Sequence, residues 1–231
     1  MSRIETGQNY ACALLEGGRV GCWGYSGGGQ LGSTSVPFYS VGKTLVDLAE
    51  PAVDLALGTS TACAVLASGA VKCWGENGVG QLARDPLELN YSGTPVVIAG
   101  LPADVVEVSA MYGGFCVLTA DADVWCWGRN GWSQIYLGVT DPVITPTLVT
   151  DIDGEIVALS TGANHTCART NFPDAEIWCW GLNDSGQTGP VGGYPPHVIG
   201  DWDAPPSTLD LKKSLASGTM FTCAIVEDGQ V

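Results

Sequence analysis

The sequence is poor in basic residues, and this limits the partners that it can bind. It has 9 Lys and Arg against 24 Asp and Glu, which gives a formal net charge of −15. Binding of DNA or RNA needs a basic face that neutralises phosphates. No cluster of basic residues occurs along the chain, so we expect no nucleic-acid partner and interpret the acidity as a solvated surface.

Long apolar runs and metal-binding patterns are also missing. No run reaches the roughly 18 residues of a membrane helix, so we predict no transmembrane segment in this chain. The sequence has only 2 His and no Cys-x-x-Cys pair, which makes zinc a weak alternative. The acidic stretch 151–155 lacks the ligand series of an EF-hand loop and is interpreted as a surface turn.

A serine in the first fifty residues fits the pattern of a catalytic nucleophile. Residues 24–28 read Gly-Tyr-Ser-Gly-Gly, which matches Gly-x-Ser-x-Gly. Ser26, however, takes the place that Asn77, Asn130 and Asn183 hold in the repeats described below, and no strand-to-helix context surrounds it. We therefore predict that the chain is not an enzyme and that it has no metal or other cofactor.

Glycine and cysteine are abundant, and they recur at regular intervals. The 231 residues include 32 Gly, 13 Pro and 9 Cys. Residues 63–81 form one unit, from a cysteine through Cys-Trp-Gly to a glutamine, and copies begin at Cys12, Cys116 and Cys167. Cys223 opens a fifth copy. Repetition at a period of roughly 50 residues predicts an array or a propeller.

Each unit predicts four short strands, which is the size of one propeller blade. In the second unit, Pro95 suits the start of the fourth strand. The strands predicted there are 53–57, 61–66, 70–75 and 94–98. We predict units at about 1–50, 51–102, 103–153, 154–210 and 211–231. The connectors differ between units, so we expect loops that carry binding specificity at 33–52, 84–94, 138–150 and 190–208.

Two cysteines ten residues apart flank a tight turn, and their spacing predicts a disulfide. Cys63 and Cys73 are equidistant from Ser68, so they lie directly opposite each other in an antiparallel hairpin. If Leu66 and Ala70 close the hairpin, the cysteine pair is non-hydrogen-bonded, with Cα atoms about 4.5 Å apart. A disulfide accepts that separation. We predict the bridges Cys12–Cys22, Cys63–Cys73, Cys116–Cys126 and Cys167–Cys179.

The cysteines also indicate in which cellular compartment the protein is located. Nine reduced, buried cysteines are the alternative, but repeated pairing indicates an oxidising environment, so we expect an extracellular or cell-surface protein. The partner of Cys223 should fall just beyond Val231. We therefore expect the chain to be an incomplete propeller, a fragment with a truncated fifth unit.

Tryptophan and glutamine hold fixed places in every unit. Strand alternation puts the tryptophan on the face opposite the cysteine, where we expect it to pack between blades. Trp132 lies outside this pattern in a glycine turn and is the candidate for an exposed contact residue. The repeated residues are Trp23, Trp74, Trp127 and Trp180, followed by Gln30, Gln81, Gln134 and Gln187.

The unit quoted from Gly58 to Leu82, with its block Trp-Gly-x-Asn-x-x-Gly-Gln-Leu, resembles the regulator of chromosome condensation repeat. The resemblance implies an all-β fold, a seven-bladed β-propeller of which this chain holds four blades and part of a fifth. The cysteine-paired version resembles the secreted or surface form found in bacterial repeat proteins.

The family's functions are varied, and the resemblance implies more than one class. It includes a nuclear exchange factor for a small GTPase, a plant ultraviolet photoreceptor and a bacterial β-lactamase inhibitor. We expect a non-enzymatic repeat scaffold that binds a protein or a glycan through its loop faces, at the cell surface or outside the cell. The alternative is a guanine-nucleotide exchange regulator of a small GTPase.

Overall fold

The chain folds as a series of short antiparallel β-strands. The structure, a computed structural model, describes residues 3–36, 38–135, 141–171, 176–189, 193–198 and 215–225. The strands are β1 (Arg3–Thr6), β2 (Tyr10–Leu14), β3 (Val20–Tyr25), β4 (Tyr39–Val46), β5 (Ala52–Leu57), β6 (Thr61–Leu66), β7 (Val71–Glu76), β8 (Tyr91–Val97), β9 (Val105–Met111), β10 (Gly114–Thr119), β11 (Val124–Gly128), β12 (Val143–Leu148), β13 (Ile156–Thr161), β14 (His165–Thr170), β15 (Ile177–Gly181), β16 (Gly193–Val198), β17 (Leu215–Ser217) and β18 (Thr222–Ala224).

These strands form four sheets of four and one of two, each a blade or part of a blade. Each complete blade runs β1-β2-β3-β4 or its equivalent, with neighbouring strands antiparallel, and β17 and β18 form the fifth sheet. The first strands of successive blades contact one another, as β5 does with β9. They therefore line the centre, and the fourth strands form the outer rim. This is a β-propeller and confirms the predicted fold class.

The second strand of blades 2, 3 and 4 is the most deeply buried strand of its blade, because neighbouring blades cover both of its faces. Every residue of β6, β10 and β14 is buried. The core lies between blades. One cluster joins Cys12 and Leu14 of blade 1 to Leu55 and Trp74 of blade 2. Each blade thus presents its cysteine face to the tryptophan face of the next.

The glycine after each repeated tryptophan is required by the backbone. In Gly75, φ is +110°, and an added Cβ would lie 2.3 Å from the carbonyl oxygen of Ser60. Only glycine combines that conformation with so close an approach. The approach lets the Glu76 N–H donate to the same oxygen at 2.9 Å, which ties the third strand to the loop after the first.

Some predicted connectors are wrong, because they contain the outermost strands. Residues 33–52 hold β4, 138–150 hold β12 and 190–208 hold β16. The strand β8 begins at Tyr91, and Pro95 lies inside it rather than at its start. In each case the pairing with the third strand shifts by two residues at a bulge. A bulge of this kind breaks the alternation by which a strand is recognised in sequence.

The described residues contain no helix with the length and apolar character needed to cross a membrane.

Candidate interaction faces

The two cysteines of each predicted pair lie opposite each other in the structure, with one pair in the hairpin of each complete blade. Cys63 and Cys73 are cross-strand partners, and the hairpin closes with the Leu66 N–H donating to the Ala70 carbonyl at 2.8 Å. The Cα–Cα distances of the four disulfides are 4.0–4.2 Å, slightly below the separation expected from strand geometry alone. The disulfides are Cys12–Cys22, Cys63–Cys73, Cys116–Cys126 and Cys167–Cys179. Cys223 is a free cysteine.

Side chains of the repeat hold the shape of each glycine turn. The Gln81 Oε1 accepts the N–H of Val79 at 2.8 Å, and the Asn77 Oδ1 accepts the N–H of Leu82 at 2.7 Å. Gln30, Gln134 and Gln187 make the same bond to the residue two positions earlier. In blade 1, Ser26 replaces the asparagine, and its buried hydroxyl makes no hydrogen bond. Ser26 is therefore a turn residue and has no base beside it.

The repeated tryptophans join neighbouring blades by one recurring hydrogen bond. The indole Nε1 donates to the backbone carbonyl of a glutamine in the preceding blade: Trp74 to Gln30, Trp127 to Gln81 and Trp180 to Gln134, at 2.8–2.9 Å. These three tryptophans are fully buried. Trp23 differs, since no blade precedes it in the described part of the chain, and its side chain is partly exposed. Trp74, Trp127 and Trp180 are therefore packed between blades, and Trp23 is packed less completely.

The two ends of the propeller carry different kinds of loop, because consecutive strands alternate in direction. One end, here called the turn face, consists of the loops after the first strands and the glycine turns, residues 7–9, 26–32, 58–60, 77–83, 112–113, 129–135, 162–164, 182–188 and 218–221. The other end, here called the hairpin face, consists of residues 15–19, 47–51, 67–70, 98–104, 120–123 and 149–155.

The turn face and the strand ends beside it carry the exposed aromatic side chains. Among the described residues, every exposed large aromatic lies there: Tyr25, Phe38, Tyr39, Tyr91, Tyr112, Trp132 and Phe221. Trp132 is 48% exposed. The backbone N–H of Trp132 donates to the Gln134 Oε1 at 2.9 Å, so the backbone of the turn is fixed while the indole side chain faces solvent.

A cleft on the turn face lies between blades 2 and 3. Its volume is about 300 Å³, and Glu76, Tyr112 and Arg129 are among the residues that line it. The guanidinium carbon of Arg129 lies 5.5 Å from the centroid of the Tyr112 ring, which is a cation–π contact. The cleft offers an aromatic wall, a cation and a carboxylate. Such a set recognises a ligand through stacking and charge-assisted hydrogen bonds.

The hairpin face differs in charge and is strongly acidic. In its described loops Arg19 is the basic residue, set against a larger number of carboxylates. The acidic residues of these loops are Glu16, Asp47, Glu50, Asp104, Asp121, Asp123, Asp151, Asp153 and Glu155. The stretch 151–155 is a loop, as predicted. No group of three metal-ligating side chains occurs within the part of the chain that the structure describes.

The centre of the propeller is a cavity of about 750 Å³ lined by the first strands of all five sheets. Its polar groups link blades to one another. The Asp54 carboxylate pairs with the Arg3 guanidinium and accepts the Val108 N–H at 2.9 Å. The hydroxyl of Ser109 lies 2.9 Å from that of Thr161 in the next blade. Burial opposes the charge on Arg3, but the Asp54 and Glu5 carboxylates raise its pKa above the usual value.

His165 is the histidine whose side chain the structure describes, and it is fully buried. Its Nε2 lies 2.9 Å from the Thr222 hydroxyl of the fifth sheet. Burial lowers the pKa of His165 below its usual 6.5, so the ring is neutral at pH 7. The ring contacts a threonine in a sealed seam between blades, where it contributes to packing and has no access to a substrate.

Models of the Regulator of chromosome condensation (RCC1) repeat match residues 52–81, 121–169 and 156–187. The human E3 ubiquitin-protein ligase HERC2 is 29% identical over 189 residues, which are 80% of this chain and 4% of that protein. The matched part is thus a small portion of the relative.

Solved structures share the fold over almost the whole chain. Human WBSCR16 superposes with a TM-score of 0.79 at 20% identity, over 97% of this chain and 57% of that one. Prp20p from Saccharomyces cerevisiae, described with its binding to Gsp1p and histones, gives 0.77 at 19% identity, over 96% and 55%. The chain therefore spans little more than half the length of these propellers. RCC1 repeats are thus matched at residues 52–81 and 121–187, and the fold is that of the RCC1-type β-propellers.

Proposed function

We propose that this chain is a non-enzymatic scaffold that binds a partner protein through its turn face, at the cell surface or outside the cell. The observation that carries the proposal is the segregation of side chains. The exposed aromatics lie around the turn face, and the hairpin face carries mostly carboxylates. Aromatic residues and arginine are the types that contribute most to binding at protein interfaces.

The cleft between blades 2 and 3 is the part of the turn face that we expect to contact the partner protein most closely. Tyr112 and Arg129 are held against each other, and Glu76 lines the same cleft. Trp132 projects from the glycine turn that follows Arg129. A rigid aromatic anchor beside a cation costs little side-chain entropy on binding, since both groups are already positioned.

The disulfides support the placement outside the cell. Four cross-strand bridges in one chain are typical of proteins that fold in oxidising compartments and rare in the cytosol. A guanine-nucleotide exchange regulator acting inside the cell would face a reducing environment. The propellers whose fold this chain shares include Prp20p, described with Gsp1p and histones, and that likeness supports protein binding in general.

Site-directed photocrosslinking on the producing cells tests the proposal. A photoreactive amino acid at Trp132 should crosslink to a partner protein, and the same group at Asp151 on the hairpin face should not. The variant Tyr112→Ala/Arg129→Ala should lose the crosslink, while Asp121→Asn/Asp123→Asn should retain it. Removal of glycans from the partner should leave the crosslink intact. Crosslinking from Asp151 alone, or loss of the product on glycan removal, would contradict the proposed site or the protein nature of the ligand.

A further inference from the structure

Three asparagines of the chain lie in the acceptor pattern for N-linked glycans. The pattern is Asn-x-Ser/Thr, in which x is not proline. An N-linked glycan is bulky and hydrophilic, so a folded protein accepts it where the asparagine side chain is exposed and free of other bonds. The structure therefore distinguishes three positions that the sequence pattern treats alike. They are Asn90-Tyr-Ser92, Asn164-His-Thr166 and Asn183-Asp-Ser185.

Asn183 and Asn164 are unsuited to a glycan, because the fold encloses their amides. Asn183 holds the place of the repeated turn asparagine. Its Oδ1 accepts the Thr188 N–H at 2.9 Å, and its Nδ2 donates to the Gly189 carbonyl at 2.9 Å. The Oδ1 of Asn164 is buried in the loop before β14. A glycan at either position would have to displace the side chain from its turn or loop.

Asn90 differs from both, since its side chain is exposed. Its amide makes no hydrogen bond within the part of the chain that the structure describes, whereas its backbone carbonyl accepts the Asn77 N–H at 2.8 Å. The backbone is thus fixed directly before β8, and the amide is available. In its sheet β8 pairs with β7 alone, so no further strand covers this side of blade 2.

We propose that Asn90 is an N-glycosylation site, at which an oligosaccharide is linked to the side-chain amide. The donor is an oligosaccharide carried on a polyisoprenyl diphosphate. The Asn90 Nδ2 attacks the anomeric carbon of the first sugar, so that an N–C bond forms as the C–O bond to the diphosphate breaks. The diphosphate leaves with the electron pair of that bond, and the amide gives up one proton to a base.

The residues before Asn90 also distinguish it from the other two asparagines. Glu88 lies two positions before Asn90, so this site fits the longer acceptor pattern of bacterial transferases, Asp/Glu-x-Asn-x-Ser/Thr, as well as the short one. The other two asparagines have Gly162 and Gly181 at that place. The choice of Asn90 therefore holds for either pattern.

The inference rests on the location outside the cell proposed above, because this transfer takes place on chains that leave the cytosol. It does not depend on the partner protein. The Asn90 Oδ1 lies 3.9 Å from the position that a Cβ would take on Gly78, and Gly78 lines the cleft between blades 2 and 3. A glycan at Asn90 would thus border the cleft on the side of blade 2 and leave the side of blade 3, with Trp132, open to the partner.

Mass spectrometry of the intact protein, purified from the cells that produce it, tests the site. Wild type should be heavier than its sequence by one glycan, and peptide mapping should place the added mass on the peptide that contains Asn90. Asn90→Gln and Ser92→Ala should both lose the whole of this added mass. Ser92→Thr preserves the acceptor pattern and should retain it. Ser185→Ala, which destroys the pattern at Asn183, is the matched control and should also retain it.

Two results would overturn the inference: a wild-type mass equal to that of the unmodified chain, or added mass that persists in Asn90→Gln. A count of free thiols on the same sample separates this failure from failure of the proposed location. Paired cysteines with an unmodified Asn90 would reject the glycan alone. Nine free thiols with an unmodified Asn90 would reject both the glycan and the location outside the cell. Near-ultraviolet circular dichroism checks that each variant folds.

Discussion

Replacing one buried tryptophan by phenylalanine should weaken the seam between two blades far more than the same change in blade 1. Trp74 is fully buried, and its indole donates to the Gln30 carbonyl at 2.9 Å. Trp23 holds the same place in blade 1 but is partly exposed. Trp74→Phe removes the donor and leaves a buried carbonyl without a partner, while Trp23→Phe removes no such bond among the described residues.

The size of the difference follows from the lost contacts. An unsatisfied buried carbonyl costs about 1–3 kcal/mol. The smaller ring leaves a cavity that adds about 1 kcal/mol. Trp74→Phe should therefore lower the free energy of unfolding by about 2–4 kcal/mol. For a chain of this size, each kcal/mol shifts the melting temperature by about 2–4 °C. Trp23→Phe should change stability by less than about 0.5 kcal/mol, as partly exposed sites generally do.

Thermal unfolding followed by near-ultraviolet circular dichroism measures both variants against wild type. The expected result is a fall of about 4–16 °C for Trp74→Phe and little change for Trp23→Phe. Equal shifts for the two variants would refute the reasoning, because the indole bond to the preceding blade would then contribute nothing. Trp127→Phe provides a repeat of the test at an independent seam, where the indole donates to the Gln81 carbonyl at 2.8 Å.

Two further predictions concern a buried histidine and a strained glycine. Burial lowers the pKa of His165 below 6.5, so the unfolded chain takes up the proton first as the pH falls, and the free energy of unfolding should decrease from pH 7 to pH 5. The urea midpoint should decrease less over this range in His165→Gln than in wild type. Identical dependence of the midpoint on pH in the two proteins would contradict this. Gly75→Ala should cost more than about 2 kcal/mol, since the new Cβ meets the Ser60 backbone. Gly17→Ala is the control, because φ is +75° there but the space is open, and a similar loss in both would show that the contact is unimportant.

The hairpins could be predicted from sequence because their order is local. Equal spacing about Ser68 gives the register that pairs Cys63 with Cys73 and Val65 with Val71. The left-handed residue at the end of the loop is Gly69, as the turn type requires. In the third unit Ala122 adopts φ +66° at the same place, so the turn geometry persists there without glycine.

The rim strands and the seams between blades could not be predicted in the same way. In β4, two extra residues at the bulge interrupt the alternation, and a strand that is mostly exposed gives little apolar signal. The indole of Trp74 donates its hydrogen bond to the backbone carbonyl of Gln30. Every residue has such a carbonyl, so the sequence shows that the glutamine recurs but not that its backbone accepts this bond. Of the exposed aromatic residues of the turn face, the sequence marked Trp132 in its glycine turn and none of the others.

The central proposal is that four disulfides cross-link this propeller and that the protein is located in an oxidising compartment. Counting free thiols in protein purified without reductant tests this proposal most directly. Denatured protein should react with one equivalent of a thiol reagent, at Cys223, and the other eight cysteines should react only after reduction. Peptide mapping should then recover Cys63 linked to Cys73. Nine free thiols in the unreduced protein would contradict both the disulfides and the proposed location outside the cell.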